Sequence, residues 1–123
     1  MTFWYLATPY SRHPEGLLGA FRQACEQSAL LLKAGVPIFC PIAHSHAIAR
    51  WSDIDPRLHD FWLAVDKPFM DAAKGLIVCR LDSWESSKGV AAEIDAFKAA
   101  GKPVVYMQPG IVPREVLCAP HNS

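Results

Sequence analysis

Four short apolar runs, separated by helix-period stretches and turns, constrain this chain more than any other feature. They are Phe3–Ala7, Val36–Cys40, Gly75–Leu81 and Pro103–Gln108. None of them alternates apolar with polar residues, so a sheet built from them has no face suited to water. That pattern belongs to a parallel sheet covered by helices on both sides. The intervening segments supply the helices. Over 14–34, Leu17, Leu18, Phe21, Cys25, Ser28, Ala29 and Leu32 recur at three- and four-residue spacing, an apolar stripe. Pro14 suits the first helical position and Gly35 the end. Leu58, Phe61, Trp62, Val65 and Phe69 mark a second helix, with a kink or break expected at Lys67 because Pro68 disfavours helical geometry before it. A third helix spans 89–100, with Val90, Ile94 and Phe97 toward the core and Gly101 ending it.

Right-handed crossovers then predict a three-layer, doubly wound α/β domain with four to five strands in the order 2-1-3-4. The order reverses between the first and third strands, and ligands bind at such a point. Thr8–Ser11 and Asp82–Ser87 flank it. The stretch from Pro41 to about Pro56 reads as a long loop carrying His44, His46, Trp51 and Asp53, and loops of that length are often functional. One domain covers 1–123. After about residue 110 the tail, with Pro109, Pro113 and Pro120, is expected to be poorly ordered, with at most one helical turn near Arg114–Leu117.

Lysines and arginines number 12 and aspartates and glutamates 12, a formal net charge of zero. This argues against an electrostatic binder of nucleic-acid polymers or membrane surfaces, which needs a basic patch. It also leaves little repulsion between copies, so self-association is expected. Cys25, Cys40, Cys79 and Cys118 form no C-x-x-C pair and read as free thiols in a reducing compartment. With no leader-like start and no apolar run of 18 residues, a soluble cytoplasmic protein is expected.

The chemistry-bearing candidate is Glu93, in the second turn of a helix that opens on Ser86-Ser87-Lys88-Gly89. A carboxylate there can hang over the C-terminal edge of the sheet as nucleophile or general base; the alternative is a solvated acid paired with Lys88 or Lys98. Burial without partners would raise its pKa. Asp66 sits one residue past the apolar position Val65 and can face inward or outward. Asp82 follows the third strand and is either a ligand-facing acid or a turn former. Tyr5 reads as buried, its hydroxyl bonded to a catalytic carboxylate or to a core carbonyl. The Ser86–Gly89 helix start, with Lys88 beside it, is suited to phosphate, or Ser is simply the N-cap. His44 and His46 match no zinc spacing and read as lining a ligand loop or as exposed. Substrate-binding candidates are thus Thr8, Pro9 and Tyr10 on the first turn, His44 and His46, and Asp82, Trp84, Ser86, Ser87 and Gly89 around the third helix start.

Tyr5-Leu6-Ala7-Thr8-Pro9-Tyr10-Ser11, Pro41-Ile42-x-His44-Ser45-His46, Asp66 and Ser87-x-Gly89-Val90-x-x-Glu93-Ile94 resemble the nucleoside 2-deoxyribosyltransferase-like superfamily over residues 3–108. The nearest branch is one of small bacterial and phage proteins, close to the deoxynucleoside monophosphate N-glycosidases. The resemblance implies a flavodoxin-like sheet and cleavage of the bond between a base and 2-deoxyribose, by hydrolysis or transfer. Glu93 matches the nucleophile, Asp66 the acid that binds or protonates the base, and Tyr5 the residue that holds the nucleophile. It also implies a homo-oligomer, dimer or tetramer, with a nucleoside or nucleotide as its small-molecule partner and no metal or organic cofactor. Ser87 replaces an Asp common in the transferases and fits the monophosphate branch. Lys74 stands where relatives commonly carry Asp. A non-catalytic nucleotide-binding module on the same fold is the alternative, and a receiver-like signalling domain fits poorly, since only Asp82 stands at a strand end.

Overall fold

The computed structural model describes residues 2–117. Its strands are β1 (Trp4–Ala7), β2 (Ile38–Phe39), β3 (Gly75–Cys79) and β4 (Val104–Met107), and its helices are α1 (Gly16–Lys33), α2 (Pro41–Arg50), α3 (His59–Ala72) and α4 (Lys88–Ala99). The four strands form one sheet in the order β2-β1-β3-β4. All pairings are parallel, with Tyr5 opposite Leu76 and Val78 opposite Tyr106. This is the expected doubly wound α/β architecture with strand order 2-1-3-4.

The pleat of β1 divides the core. Trp4 and Leu6 join Ala24 and Leu31 of α1, Ile77, Cys79 and Met107 in one buried cluster. Tyr5 and Ala7 point the other way and meet Met70 of α3 and Val90 and Phe97 of α4. Period-2 alternation therefore exists in space although both sets are apolar. Tyr5 thereby lies under the α3–α4 layer. No helix among the described residues is long and apolar enough to cross a membrane.

Helices α1 and α4 end by the same device. Gly35 and Gly101 adopt φ of +82° and +71°. Gly35 N donates to Leu32 O and Val36 N to Leu31 O, and Gly101 N donates to Lys98 O and Lys102 N to Phe97 O. These are Schellman closures, which glycine enters without a Cβ penalty. Lys102 then donates through Nζ to the carbonyls of Met70 and Asp71 at 2.9 and 2.6 Å, satisfying the open end of α3.

Three expectations are corrected. The helix begins at Gly16, and Pro14 lies in the preceding turn rather than in the first helical position. The stretch from Pro41 to Arg50 is helix α2, not loop. Cys40 is extended and Pro41 takes the first helical position, where its missing N–H costs nothing. α3 runs unbroken through Pro68 to Ala72. Pro68 lies on the exposed side, as does Ala64, so the carbonyl deprived of its partner can be met by water. The buried face of α3 is Trp62, Asp66 and Met70, while Leu58, Phe61 and Phe69 remain substantially exposed. The one helical turn expected near Arg114–Leu117 is present as the 3-10 turn Arg114–Val116, and Val116 is buried in the cluster around Leu6. The last residues, expected to be poorly ordered, and Cys118 lie outside the described residues.

Gly75 opens β3 against the Trp4 ring. A Cβ there would come within 2.5 Å of Trp4 and 2.9 Å of Pro103, closer than any packed contact. Gly75→Ala is expected to destabilise the fold by about 1–3 kcal/mol, read as a lower urea midpoint at unchanged m-value. An unchanged midpoint would show that the ring can move aside.

Candidate active site

Three elements bring three side chains together on the α3–α4 side of the sheet. Tyr5 on the central strand β1 is fully buried, and its hydroxyl donates to Glu93 Oε2 at 2.7 Å. Glu93 lies one turn into α4 on the same face as Val90 and Phe97. Asp66 projects inward from the middle of α3. Both acids are more than nine-tenths buried, at 7% and 6% exposure.

These carboxyls are in unusual electrostatic positions. Burial pushes Glu93 up to about 8; the Tyr5 hydrogen bond opposes this and the charge of Asp66 adds to it. Burial also pushes Asp66 up to about 6, with Tyr5 again opposing. The Tyr5 phenol is itself raised, first by burial and then by Glu93 and Asp66, so it stays a donor. Asp66 Oδ1 and Thr8 Oγ1 are buried without any hydrogen-bond partner among the described residues. Such orphans are rare in folded proteins and tend to mark sites where something else binds.

Of the four such atoms among the described residues, Trp4 Nε1 and Ser83 Oγ lie elsewhere, while Thr8 and Asp66 line a cavity of about 270 Å³ together with Glu93. Pro41 and Ile42 of α2 and Trp62 and Leu63 of α3 supply apolar wall. The loop before α3 crosses above it and is pinned by Asp55, whose carboxylate accepts from Arg57 N at 2.8 Å and whose carbonyl accepts from Trp62 Nε1 at 3.0 Å. Arg12, Arg57 and Lys88 bring positive charge to the lining while remaining exposed to solvent. Ser87 is the N-cap of α4, accepting from Val90 N, and a Cβ at Gly89 beside it would meet Ser87 Oγ at 3.9 Å, an ordinary contact. The N-terminus of a 12-residue helix thus opens into a cavity with a cation alongside.

Of the residues singled out in the sequence, Thr8, Tyr10, Asp66, Ser87, Gly89 and Glu93 line this cavity, and Tyr5 lies under Glu93. Pro9 is fully buried in the turn between Thr8 and Tyr10. His44 faces outward against the rings of Phe39 and Phe69. His46 sits behind Tyr10, bonded to its hydroxyl. Asp82 is exposed, because the chain continues past Cys79 to bury Leu81 before it turns. Trp84 packs against Tyr106 under the Arg80 guanidinium, and Ser86 closes the local turn by donating to Ser83 O. His44, His46, Asp82, Trp84 and Ser86 are therefore not in the cavity wall. Lys74 stands at the N-terminal end of β3, over the Trp4 ring, on the sheet edge opposite the site.

Arg12, Ser45, Arg57, His59 and Trp62 line the cavity and were not expected. Ser45 was findable: once Pro41 starts a helix, Pro41, Ser45 and Ala49 recur every four residues on the buried face. Arg57 and His59 carry no comparable signal. Among the described residues no three His, Cys, Asp or Glu side chains are grouped to hold a metal ion.

The family model described as a domain of unknown function (DUF1937) matches residues 2–109. No curated protein matches the chain. Among solved structures, the 2-deoxyribosyltransferase of the psychrotolerant bacterium Bacillus psychrosaccharolyticus superposes with a TM-score of 0.62 at 20% sequence identity, covering 94% of this chain and 80% of that one. That enzyme is described as a biocatalyst for the synthesis of antiviral and antitumoral nucleosides. By the family match the chain belongs to the DUF1937 family, and its fold is nucleoside 2-deoxyribosyltransferase-like.

Proposed function

We propose that this chain cleaves the N-glycosidic bond of a deoxynucleoside or its 5′-monophosphate through Glu93 as nucleophile. The observation that carries the reading is the pair of buried carboxyls, Glu93 and Asp66, around one Tyr5 hydroxyl at the floor of a cavity. Burying two acids together is costly, and perturbed acids in a cleft mark functional sites. Departure of the base builds positive charge on the sugar. Glu93 Oε2 is held by Tyr5, which leaves Oε1 to attack C1′ and form a glycosyl ester. The electron pair of the broken C1′–N bond goes to the base, which takes its proton from Asp66. Water or a second base then attacks C1′ and frees Glu93. Ser87, the amides at the start of α4 and Lys88 take a 5′-phosphate, and the apolar wall of Ile42, Trp62 and Leu63 takes the base. The similarity of fold to a 2-deoxyribosyltransferase supports this reading without reaching the substrate.

The direct test is base release from a mixed pool of deoxynucleosides and their monophosphates, followed by chromatography with and without an added free base. Glu93→Gln is expected to lower the rate by at least about 10³-fold, the scale seen when a covalent nucleophile is removed. Nucleotide binding by the wild type with no base release would leave a non-catalytic module on the same fold.

The titration of the pair predicts a bell-shaped pH profile. Below about 6 both acids are protonated and no nucleophile exists; above about 8 both are ionised and no acid remains. Between these limits the pair holds one proton, mainly on Glu93. The competent form, with Glu93 ionised and Asp66 protonated, is the minor tautomer of that same one-proton state, so its population and the rate follow the same bell. A profile flat from pH 5 to 9 would separate these two groups from the rate.

The same burial links pH to stability. Glu93 has a folded pKa raised from 4.5 to about 8, so the folded state binds the extra proton. Its neutral form contributes fully below about 4.5, and that contribution is lost as pH rises toward about 8. Glu93→Gln keeps an acceptor for Tyr5 and removes the charge. The melting temperature of the variant should therefore exceed that of the wild type by an amount that grows across this window. A constant difference would mean that Glu93 ionises without cost.

A further inference from the structure

Tyr10 and His46 form a buried pair beside the cavity that the proposed mechanism leaves unused. The Tyr10 hydroxyl and His46 Nδ1 are 2.6 Å apart, and each side chain is 8% exposed. The imidazole is gripped from its other side by Phe21 of α1, stacked at 4.3 Å with 21° between planes. Tyr10 meets the same ring edge-on, at 5.7 Å and 85°. Two helices therefore fix Nδ1 as a point toward which the phenol is aimed. Tyr10 also lines the cavity, as does Arg57, and the charge of Arg57 acts on the phenol.

On donor strength the shared proton belongs to the phenol, and the bare nitrogen of a neutral imidazole accepts it. Burial keeps His46 below the ordinary imidazole range, and Arg50 acts in the same direction. The ring hydrogen is then on Nε2. The one hydrogen of Tyr10 is committed to His46, so a ligand that reaches its oxygen from the cavity Tyr10 lines meets lone pairs only. A buried atom that can only accept selects for a ligand that donates there, because an analogue lacking the donor leaves it unpaired.

We propose that His46 is a positioning residue that fixes Tyr10 as an acceptor-only contact for a hydrogen-bond donor on the substrate, either an exocyclic amino group of the base or a sugar hydroxyl. This inference rests on the nucleotide reading of the same cavity.

The test is calorimetric binding of matched ligand pairs to the wild type, Tyr10→Phe, His46→Leu, His46→Asn and the Tyr10→Phe/His46→Leu double variant. One arm compares dCMP with dUMP and dAMP with dIMP, which exchange an amino group for an oxo group. The other compares each nucleotide with its 2′,3′-dideoxy form. The wild type should prefer the amino-bearing member on the first arm or the hydroxyl-bearing member on the second by about tenfold or more, the worth of one hydrogen bond. Tyr10→Phe and His46→Leu should each erase that preference, and the double variant should do no more than either. His46→Asn offers an amide oxygen near the place of Nδ1 and should retain it, which a packing role would not require. If His46→Leu fails to fold, Tyr10→Phe, which removes a single oxygen, still decides. Equal weakening of every ligand, or no preference on either arm, overturns the proposal. A wild type that binds with preference but releases no base sinks the glycosidase reading and leaves the pair standing. Base release that depends on Glu93 with no preference sinks the pair alone, and failure to bind any member of the panel overturns both.

Discussion

The hydrogen bond from the Tyr5 hydroxyl to Glu93 is the contact on which the rest of the site depends. It joins the middle of the sheet to the second turn of α4 across the layer boundary. A phenol at this depth needs a partner, and a carboxylate at this depth needs a donor; each meets the requirement of the other. Because burial raises Tyr5 as well as Glu93, the shared hydrogen stays on the oxygen of the phenol. The carboxylate is thereby oriented without being neutralised by a cation, which would lower its pKa and blunt it as a base. Neither Lys88 nor Lys98 is ion-paired to it; among the described residues the ion pairs are Arg22–Glu15 and Lys67–Asp71, both exposed.

The strand order explains why this contact sits under a cavity. Between β1 and β3 the chain winds in opposite directions, so the helices on the two sides diverge and leave a crevice at the strand ends. Thr8 and Tyr10 reach it from β1, Asp66 from α3, and Ser87 and Glu93 from α4. The cost of holding two acids there is offset by devices far from the site. Glycine closures end α1 and α4, Lys102 ties the carbonyl end of α3, and Gly75 admits the Trp4 ring. Each is rigidifying, which fits a site where Glu93 must stay within a hydrogen bond of the Tyr5 hydroxyl.

Strand positions and order were legible because every run is apolar and bounded by glycine or proline. Glu93 was legible because strand, small polar turn and helix leave a carboxylate few places to point. Asp66 was ambiguous, and the reason is physical. Within α3, Phe61 and Phe69 are exposed while Trp62 and Met70 are buried, so apolar spacing did not single out the inward face. A helix that hides an aspartate and shows phenylalanines defeats any reading based on hydrophobic stripes. The α2 stretch was misread because two histidines and a leading proline suggested a loop, although Ala43, Ala47 and Ala49 are strong helix formers. That one error turned His44 and His46 toward the ligand and hid Ser45. The loop residues Arg57 and His59 could not be found, since nothing local tells a loop which way to fold back.

The charge distribution follows from the same architecture. A chain with a formal net charge of zero has no field to steer an anion by total charge. Here the charges are separated instead: two acids at the buried floor, with Arg12, Arg57 and Lys88 in the solvent-exposed part of the lining and the start of α4 among them. Low-dielectric walls such as Trp62 and Leu63 strengthen both ends. On the proposed mechanism the two ends meet opposite needs of one molecule. The cationic part holds a group that is negative in the ground state. The acidic floor faces a sugar that becomes positive only as the base departs, so its attraction acts mainly on the transition state, where it accelerates rather than merely binds.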